Sequence, residues 1–337
     1  MLIPINVGEE MAINDTVVID NPTFKQLNFK EADVEEFLRK NIEIIFGEEE
    51  SLLIVGQQVN NSERGRSDLT AIDESGNIVL IEIKRDADDI KNRKEPFEFQ
   101  AIRYAASYAK IKSPEVLVNK IFAPYIEKHK DEFFLGDLTP IEKGQRIIND
   151  FLVSNNSLKT FNQKQRIMLI ASSFDSQTLS GVAWLISNNV DISCFSIMPL
   201  NIDGQYFLQI ERILPPSRIE DFYVDIKDKK DASNSRSITE MARTNLPRIP
   251  EFFKWGLLKQ GDRLYIRNYD RESSQAEVVD ERFVNYQGEK ITYNQWGQKV
   301  TGWSAICIYE WAVKSDCDET LDSLRRQKLL EIDSKEE

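Results

Sequence analysis

In the stretch GRSDLTAIDESGNIVLIEIKRD, residues 65–86, Asp68, Glu82 and Lys84 interrupt runs that are otherwise apolar. Side chains alternate faces along a strand. Glu82 and Lys84 therefore share a face with Leu80, while Val79, Ile81 and Ile83 point into the opposite layer. DESGN is dense in turn formers and reads as a hairpin tip. With the tip near Ser75, paired residue numbers sum to about 150, which predicts Asp68 opposite Glu82 and Arg66 opposite Lys84. A slip of one or two residues would move these pairs. Like charges directly opposite on neighbouring strands repel. When they are buried, at least one should have a raised pKa unless a cation lies between them. A hard divalent cation with oxygen ligands, Mg²⁺ or Mn²⁺, removes the conflict. Lys84 beside it can orient a water or steady a developing negative charge. Two acids, a lysine and a metal ion suit the attack of water on a phosphodiester. The plainer alternative is an ion pair of Glu82 and Lys84 on an edge strand, with no catalysis.

These side chains need a sheet with helices against it. FKEADVEEFLRKNIEIIF (29–46) has apolar residues at helical spacing, and PFEFQAIRYAASYAKI (96–111) reads as a helix opened by Pro96. Two more helical segments follow, out to about residue 160. RIMLIASSF (166–174) reads as a buried strand and TLSGVAWLISNN as a helix that puts Trp184 in the core. VDISCFSIMPL and GQYFLQIERIL read as two further strands. The expected fold class is α/β: a mixed central sheet covered by helices. DIKDKKDASNSRS (225–237) is polar and charged, as linkers are. A small β-rich module lies beyond it, closed by the charged helix DETLDSLRRQKLLEI.

Bulk properties narrow the chemistry. A chain of 337 residues suggests two domains. No window approaches the roughly 18–20 apolar residues of a membrane helix, and the first residues lack the pattern of a secretion signal. Cys194, Cys307 and Cys317 are widely spaced and odd in number, which argues for a reducing cytoplasm rather than a disulfide framework. Cys194 is expected to be buried and inert. The single histidine, His129, excludes a multi-histidine metal site. The net charge of −13 disfavours a strongly basic nucleic-acid coat protein. It leaves room for an enzyme with a local basic rim.

Asp68 followed by Glu82-Ile83-Lys84 resembles the motif of the PD-(D/E)xK nuclease superfamily, whose fold is called restriction-endonuclease-like. The surrounding sequence is similar to the branch with the NucS-type endonucleases, and the resemblance covers roughly residues 29–215. It implies that Asp68, Glu82 and the carbonyl of Ile83 bind Mg²⁺ or Mn²⁺ and that Lys84 positions the nucleophilic water. A helix glutamate, Glu35 with Glu36 as the close alternative, would assist the metal or the water. Gln100 would orient the site, and Tyr104, one helical turn on, would pack or contact a backbone phosphate. Arg64, Arg66 and Arg85 flank the motif and would touch phosphates or form a solvated rim. Lys84 is expected to serve chemistry rather than stability, so that Lys84→Ala leaves the melting temperature within a few degrees.

The C-terminal segment resembles the RAMA domain, through Gly256-Leu257-Leu258, Gly261-Asp262, Gly302-Trp303-Ser304 and Leu321…Leu324-Arg325. That likeness implies a domain that reads DNA, including modified DNA. Tyr293, Trp296 and Trp303 would stack on bases, or else fill the core of the module. The expected organisation is a β-rich extension over 1–28, a nuclease domain over 29–218, a linker over 219–246 and a RAMA-like domain with its closing helix over 247–337. The expected activity is hydrolysis of DNA, most simply double-stranded DNA, in restriction, defence or repair. A homodimer would supply two active sites for duplex cutting. The rival readings are a non-catalytic DNA-binding protein that keeps the fold and a nuclease of RNA.

Overall fold

The structure is a computed structural model that describes residues 5–7, 11–14, 16–60, 66–86, 89, 96–216 and 246–334. Arg64 and residues 219–245 of the expected linker lie outside the described residues. The fold is mixed α/β, with a seven-stranded mixed sheet and a separate six-stranded antiparallel sheet.

A two-stranded pair, β1 (Ile5–Val7) and β2 (Met11–Ile13), stands apart from both. The larger sheet is built from β3 (Ile19–Asp20), β4 (Leu52–Asn60), β5 (Arg66–Asp73), β6 (Ile78–Lys84), β7 (Gln165–Ala171), β8 (Ile192–Ile202) and β9 (Gln205–Leu214). Its order is β3-β8-β7-β6-β5-β4, with β9 paired to β8. β6 runs antiparallel to β5 and parallel to β7. It is therefore a central strand, and every one of its residues is buried. An edge-strand ion pair is thus ruled out by position. A continuous apolar run is what a strand covered on both faces requires, and Glu82 and Lys84 are its only breaks.

The β5–β6 pairs are Leu69–Ile81, Thr70–Leu80, Ala71–Val79 and Ile72–Ile78, the register expected from the turn. Gly76 sets that turn at φ +83, and a Cβ there would come within 2.8 Å of the Ser157 carbonyl. The ladder stops at Leu69–Ile81, so the outer part of the expected register is corrected. Arg66 does not face Lys84; it pairs with Asn60 of β4. Asp68 turns its carboxylate to the backbone of β6.

Four helices of the larger unit have ten or more residues: α1 (Glu31–Lys40), α2 (Phe97–Tyr108), α3 (Pro140–Ser154) and α4 (Ser176–Ser187). Local chemistry fixes their starts. Pro96 precedes α2, and Thr139 and Glu142 form a capping box on α3. The Asp175 carboxylate accepts from the Gln177 and Thr178 N–H groups on α4. Trp184 is a correction: α4 buries Thr178 and Val182, and Trp184 is 64% exposed on the outer side.

The C-terminal sheet has the order β13-β12-β11-β10-β14-β15, made of β10 (Arg263–Ile266), β11 (Ala276–Val278), β12 (Phe283–Tyr286), β13 (Glu289–Thr292), β14 (Ala312–Lys314) and β15 (Glu319–Thr320). Helices α5 (Tyr293–Thr301) and α6 (Leu321–Asp333) pack with it. One apolar cluster runs continuously through both units. The contact is specific. The Leu52 N–H donates to the Ala305 carbonyl at 3.1 Å, and the Leu52 carbonyl accepts from the N–H groups of Ser304 and Ala305. The Ser304 hydroxyl accepts from the Ile54 N–H at 2.9 Å. Ser304 and Ala305 thus cover the start of β4, an edge strand that would otherwise present unpaired backbone there.

The expected stacking role of Tyr293, Trp296 and Trp303 is corrected here. All three are buried, at 0%, 0% and 3% exposure. Trp296 donates its indole N–H to the Ser274 carbonyl, and the Tyr293 hydroxyl donates to the Asp280 carbonyl. The Trp303 ring meets Phe151 of α3 edge-on at 4.9 Å and Trp311 at 4.8 Å. These rings are part of the core of a small module and of its seat on the larger one, packed there with Phe252, Tyr309 and Trp311.

Candidate active site

Asp68, Glu82 and Lys84 converge where β5 and β6 part. The Asp68 Oδ2 accepts from the Ile83 N–H at 2.7 Å, a bond that replaces the missing ladder pair. Lys84 folds back along its own strand. Its Nζ donates to the Ile83 carbonyl at 2.7 Å and lies 3.4 Å from Glu82 Oε1 and 3.8 Å from Asp68 Oδ2. The three oxygens that the resemblance implies as metal ligands thus surround one ammonium. The Phe97 ring of α2 lies 5.6 Å from the same Nζ and closes its apolar side.

Helix α2 carries a ladder of side chains four residues apart, which the helical repeat places on one face. Gln100 donates to Glu82 Oε1 at 2.6 Å. The Tyr104 hydroxyl accepts from the Arg66 N–H at 2.8 Å, and the Tyr108 hydroxyl bonds to Ser67 at 2.6 Å and Thr70 at 2.7 Å. Tyr104 is buried, so it packs and pins β5 and does not reach phosphate. Tyr108 was not singled out from sequence; the QxxxYxxxY spacing was the available signal.

Helix α1 brings Glu35, which is 3% exposed. Its Oε2 accepts from Gln58 Nε2 at 3.0 Å. Gln58 stands across from Asp68, between the pairs Gln57–Leu69 and Val59–Ser67, and has φ +53. A glutamine held in left-handed backbone beside an acid pair is the kind of local strain found at functional positions. Glu36, the alternative to Glu35, points elsewhere. It binds Arg39, whose hydrogen bond holds the carboxyl down at about 2. Two further residues escaped sequence reasoning, Gln58 and Glu31. Glu31 Oε1 lies 3.3 Å from Lys84 Nζ, one turn before Glu35 on the same face of α1.

Of the expected basic rim, Arg85 binds Asp86, Asp89 and the Phe29 carbonyl. Arg66 is exposed near the mouth of the site.

Burial dominates the titration of the acids. It raises Asp68 to about 6, against the pull of Lys84 and the Ile83 N–H. It raises Glu82 to about 8, with Asp68 adding repulsion and Lys84 opposing. Burial draws Lys84 down, but Asp68, Glu82 and Glu31 outweigh it and hold the amine above its ordinary value.

The acid shifts carry a stability consequence. A raised carboxyl pKa means the folded chain holds its proton where the unfolded chain has released it. Stability is then present below the ordinary carboxylate range and is lost as pH rises through the folded values. For Glu82 the window runs from about 4.5 to about 8. The slope there is about 1.4 kcal/mol per pH unit for each proton by which the states differ. The metal-free protein should therefore melt lower at pH 8 than at pH 6, and Glu82→Gln should flatten that fall. Scanning calorimetry across the window checks it; an unchanged slope in Glu82→Gln would remove Glu82 as its source.

The donor set suits a hard cation. Glu82 Oε2 and Glu35 Oε1 are buried oxygens without a hydrogen-bond partner. Such atoms are costly unless something fills their lone pairs. Among the described residues no group of three His, Cys, Asp or Glu side chains is close enough to hold one ion. The candidate ligands are thus two carboxylates and one carbonyl, with Glu35 standing further out. Compared with family models, with curated proteins and with solved structures, the chain matches none. Among the described residues no helix is long and apolar enough to cross a membrane.

Proposed function

We propose that the chain is a divalent-metal-dependent endonuclease of DNA, on a restriction-endonuclease-like core with a RAMA-like C-terminal domain. One observation carries the reading: Asp68, Glu82 and the Ile83 carbonyl gather around Lys84, with Gln100 bonded to Glu82, on a hairpin whose sequence resembles the PD-(D/E)xK motif. Asp68, Glu82 and the Ile83 carbonyl would hold Mg²⁺ or Mn²⁺. Such an ion, when bound, supplies a Lewis acid for the phosphodiester and lets both acids stay ionised side by side.

The remaining work belongs to the chain. Lys84 donates from its ammonium to the incoming water or to the phosphoryl oxygen on which charge develops. Gln100 holds one oxygen of Glu82 and leaves its second, buried oxygen unpartnered. The Asp68 bond to the Ile83 N–H locks the carboxylate and the carbonyl into one frame. Gln58 holds one oxygen of Glu35 and leaves its second, buried oxygen open to a further donor. Arg66, exposed at the start of β5, offers a cation for a backbone phosphate.

The test is cleavage of supercoiled plasmid by the purified chain with Mg²⁺ or Mn²⁺, against EDTA and against Asp68→Ala. Nicking by the wild type, lost with EDTA and with the variant, is the expected result. If both proteins retard plasmid in a gel and neither cuts, the chain is a DNA-binding protein without catalysis. Digestion of labelled single-stranded RNA with DNA left intact would move the assignment to an RNA nuclease.

A further inference from the structure

We infer that Glu31 is a positioning residue for Lys84: it receives the ammonium when a divalent cation takes the place that Lys84 holds among Asp68, Glu82 and the Ile83 carbonyl. This inference deepens the proposed metal-centre reading and rests on it.

Lys84 Nζ is 2.7 Å from the Ile83 carbonyl, 3.4 Å from Glu82 Oε1 and 3.8 Å from Asp68 Oδ2. Those are the oxygens a metal ion would use. An ammonium and a divalent cation repel at such distances in a site of low polarity, so they cannot share the three oxygens. The lysine stem is flexible, and its head moves to the nearest acceptor outside the set. Glu31 Oε1 is that acceptor: it already stands 3.3 Å from Nζ, and its side chain is 40% exposed and free to follow. It is the first residue of α1, where the helix dipole stabilises a carboxylate. Glu35 is a poorer seat, because among the described residues the ammonium pairs with Glu31, Asp68 and Glu82 and not with Glu35. Lys84 thus fills the cation site in the metal-free chain, and Glu31 draws it aside without releasing it from the site.

The test is Mg²⁺ binding to the full chain by titration calorimetry, on wild type, Glu31→Gln, Lys84→Met and the double variant. With Lys84 present, Glu31→Gln should weaken binding about tenfold, and in the Lys84→Met background the same change should alter it by less than about twofold. Equal weakening in both backgrounds would mean that Glu31 acts on the cation directly, and no weakening in either would mean that the ammonium has another seat; both overturn the inference. If Lys84→Met does not fold, the Lys84 Cε resonance in ¹³C-lysine-labelled protein reads the same movement. It should shift on Mg²⁺ addition in both proteins, with the midpoint at about tenfold higher Mg²⁺ in Glu31→Gln than in wild type; the same midpoint in both overturns the inference. A wild type that takes up neither Mg²⁺ nor Mn²⁺ would end the metal-centre reading itself, and this one with it.

Discussion

Lys84→Ala is expected to reduce metal-dependent cleavage by on the order of 10²–10³-fold, the usual cost of removing one fixed donor from developing transition-state charge. Among the described residues, no other lysine or arginine pairs with Asp68 or Glu82. None of the described residues is therefore placed to take over the role. The structure also changes the expectation for stability. Lys84 is only 8% exposed, and it is the cation between two buried acids. Its loss leaves Asp68 and Glu82 facing each other, and breaking a buried pair from one side is destabilising. The melting temperature of the variant should fall clearly in EDTA at pH 8 and recover with Mg²⁺, while cleavage does not recover. Plasmid nicking and melting curves on the same samples separate the two effects. A variant that still cuts at the wild-type rate would take Lys84 out of the mechanism.

The second large effect lies far from the site. Arg325→Ala should destabilise the chain by about 3–5 kcal/mol, the range for stripping one partner from a buried ion pair. Arg325 is 0% exposed and Glu49 is 2% exposed. The guanidinium grips the Glu49 carboxylate with two bonds, of 3.0 and 3.2 Å, and also binds Asp322 at 2.7 Å. It lies 4.0 Å from the centre of the Tyr309 ring. Glu49 belongs to the segment leading into β4 and Arg325 to α6, so the pair joins the two units. Whole-domain stabilities are commonly about 5–15 kcal/mol, so the loss should be plain in urea unfolding. A double change, Glu49→Leu with Arg325→Met, should recover much of it, because apolar residues of similar volume leave no buried charge. Equal stability of Arg325→Ala and wild type would show that the pair joins nothing.

Arg325, Trp303 and Ser304 are among the residues on which the C-terminal resemblance rests, and all three make contacts between the units. Their types are accounted for by docking. The proposed DNA-reading role of the domain must therefore be sought on other surfaces.

Much of the candidate site was legible in local sequence. Alternation along β6 put Glu82 and Lys84 on one face, and DESGN fixed the inner register at which β5 and β6 pair. The one-turn spacing of Gln100 and Tyr104 announced a shared helix face. Each of these depends on chain geometry over a few residues, which periodicity encodes directly. The rest depended on partners distant in sequence. Nothing around Glu31 says that it meets Lys84, 53 positions away. Nothing near Gln58 announces a left-handed backbone beneath Glu35. The aromatics of the C-terminal module could have been outside or inside on composition alone. Their burial was decided by the surface that the module meets, because exposure is a property of packed surfaces and not of residue type. Sequence alone determined which groups share a strand or helix face; tertiary packing decided that the acids close on an ammonium and that the tryptophans face the protein rather than solvent.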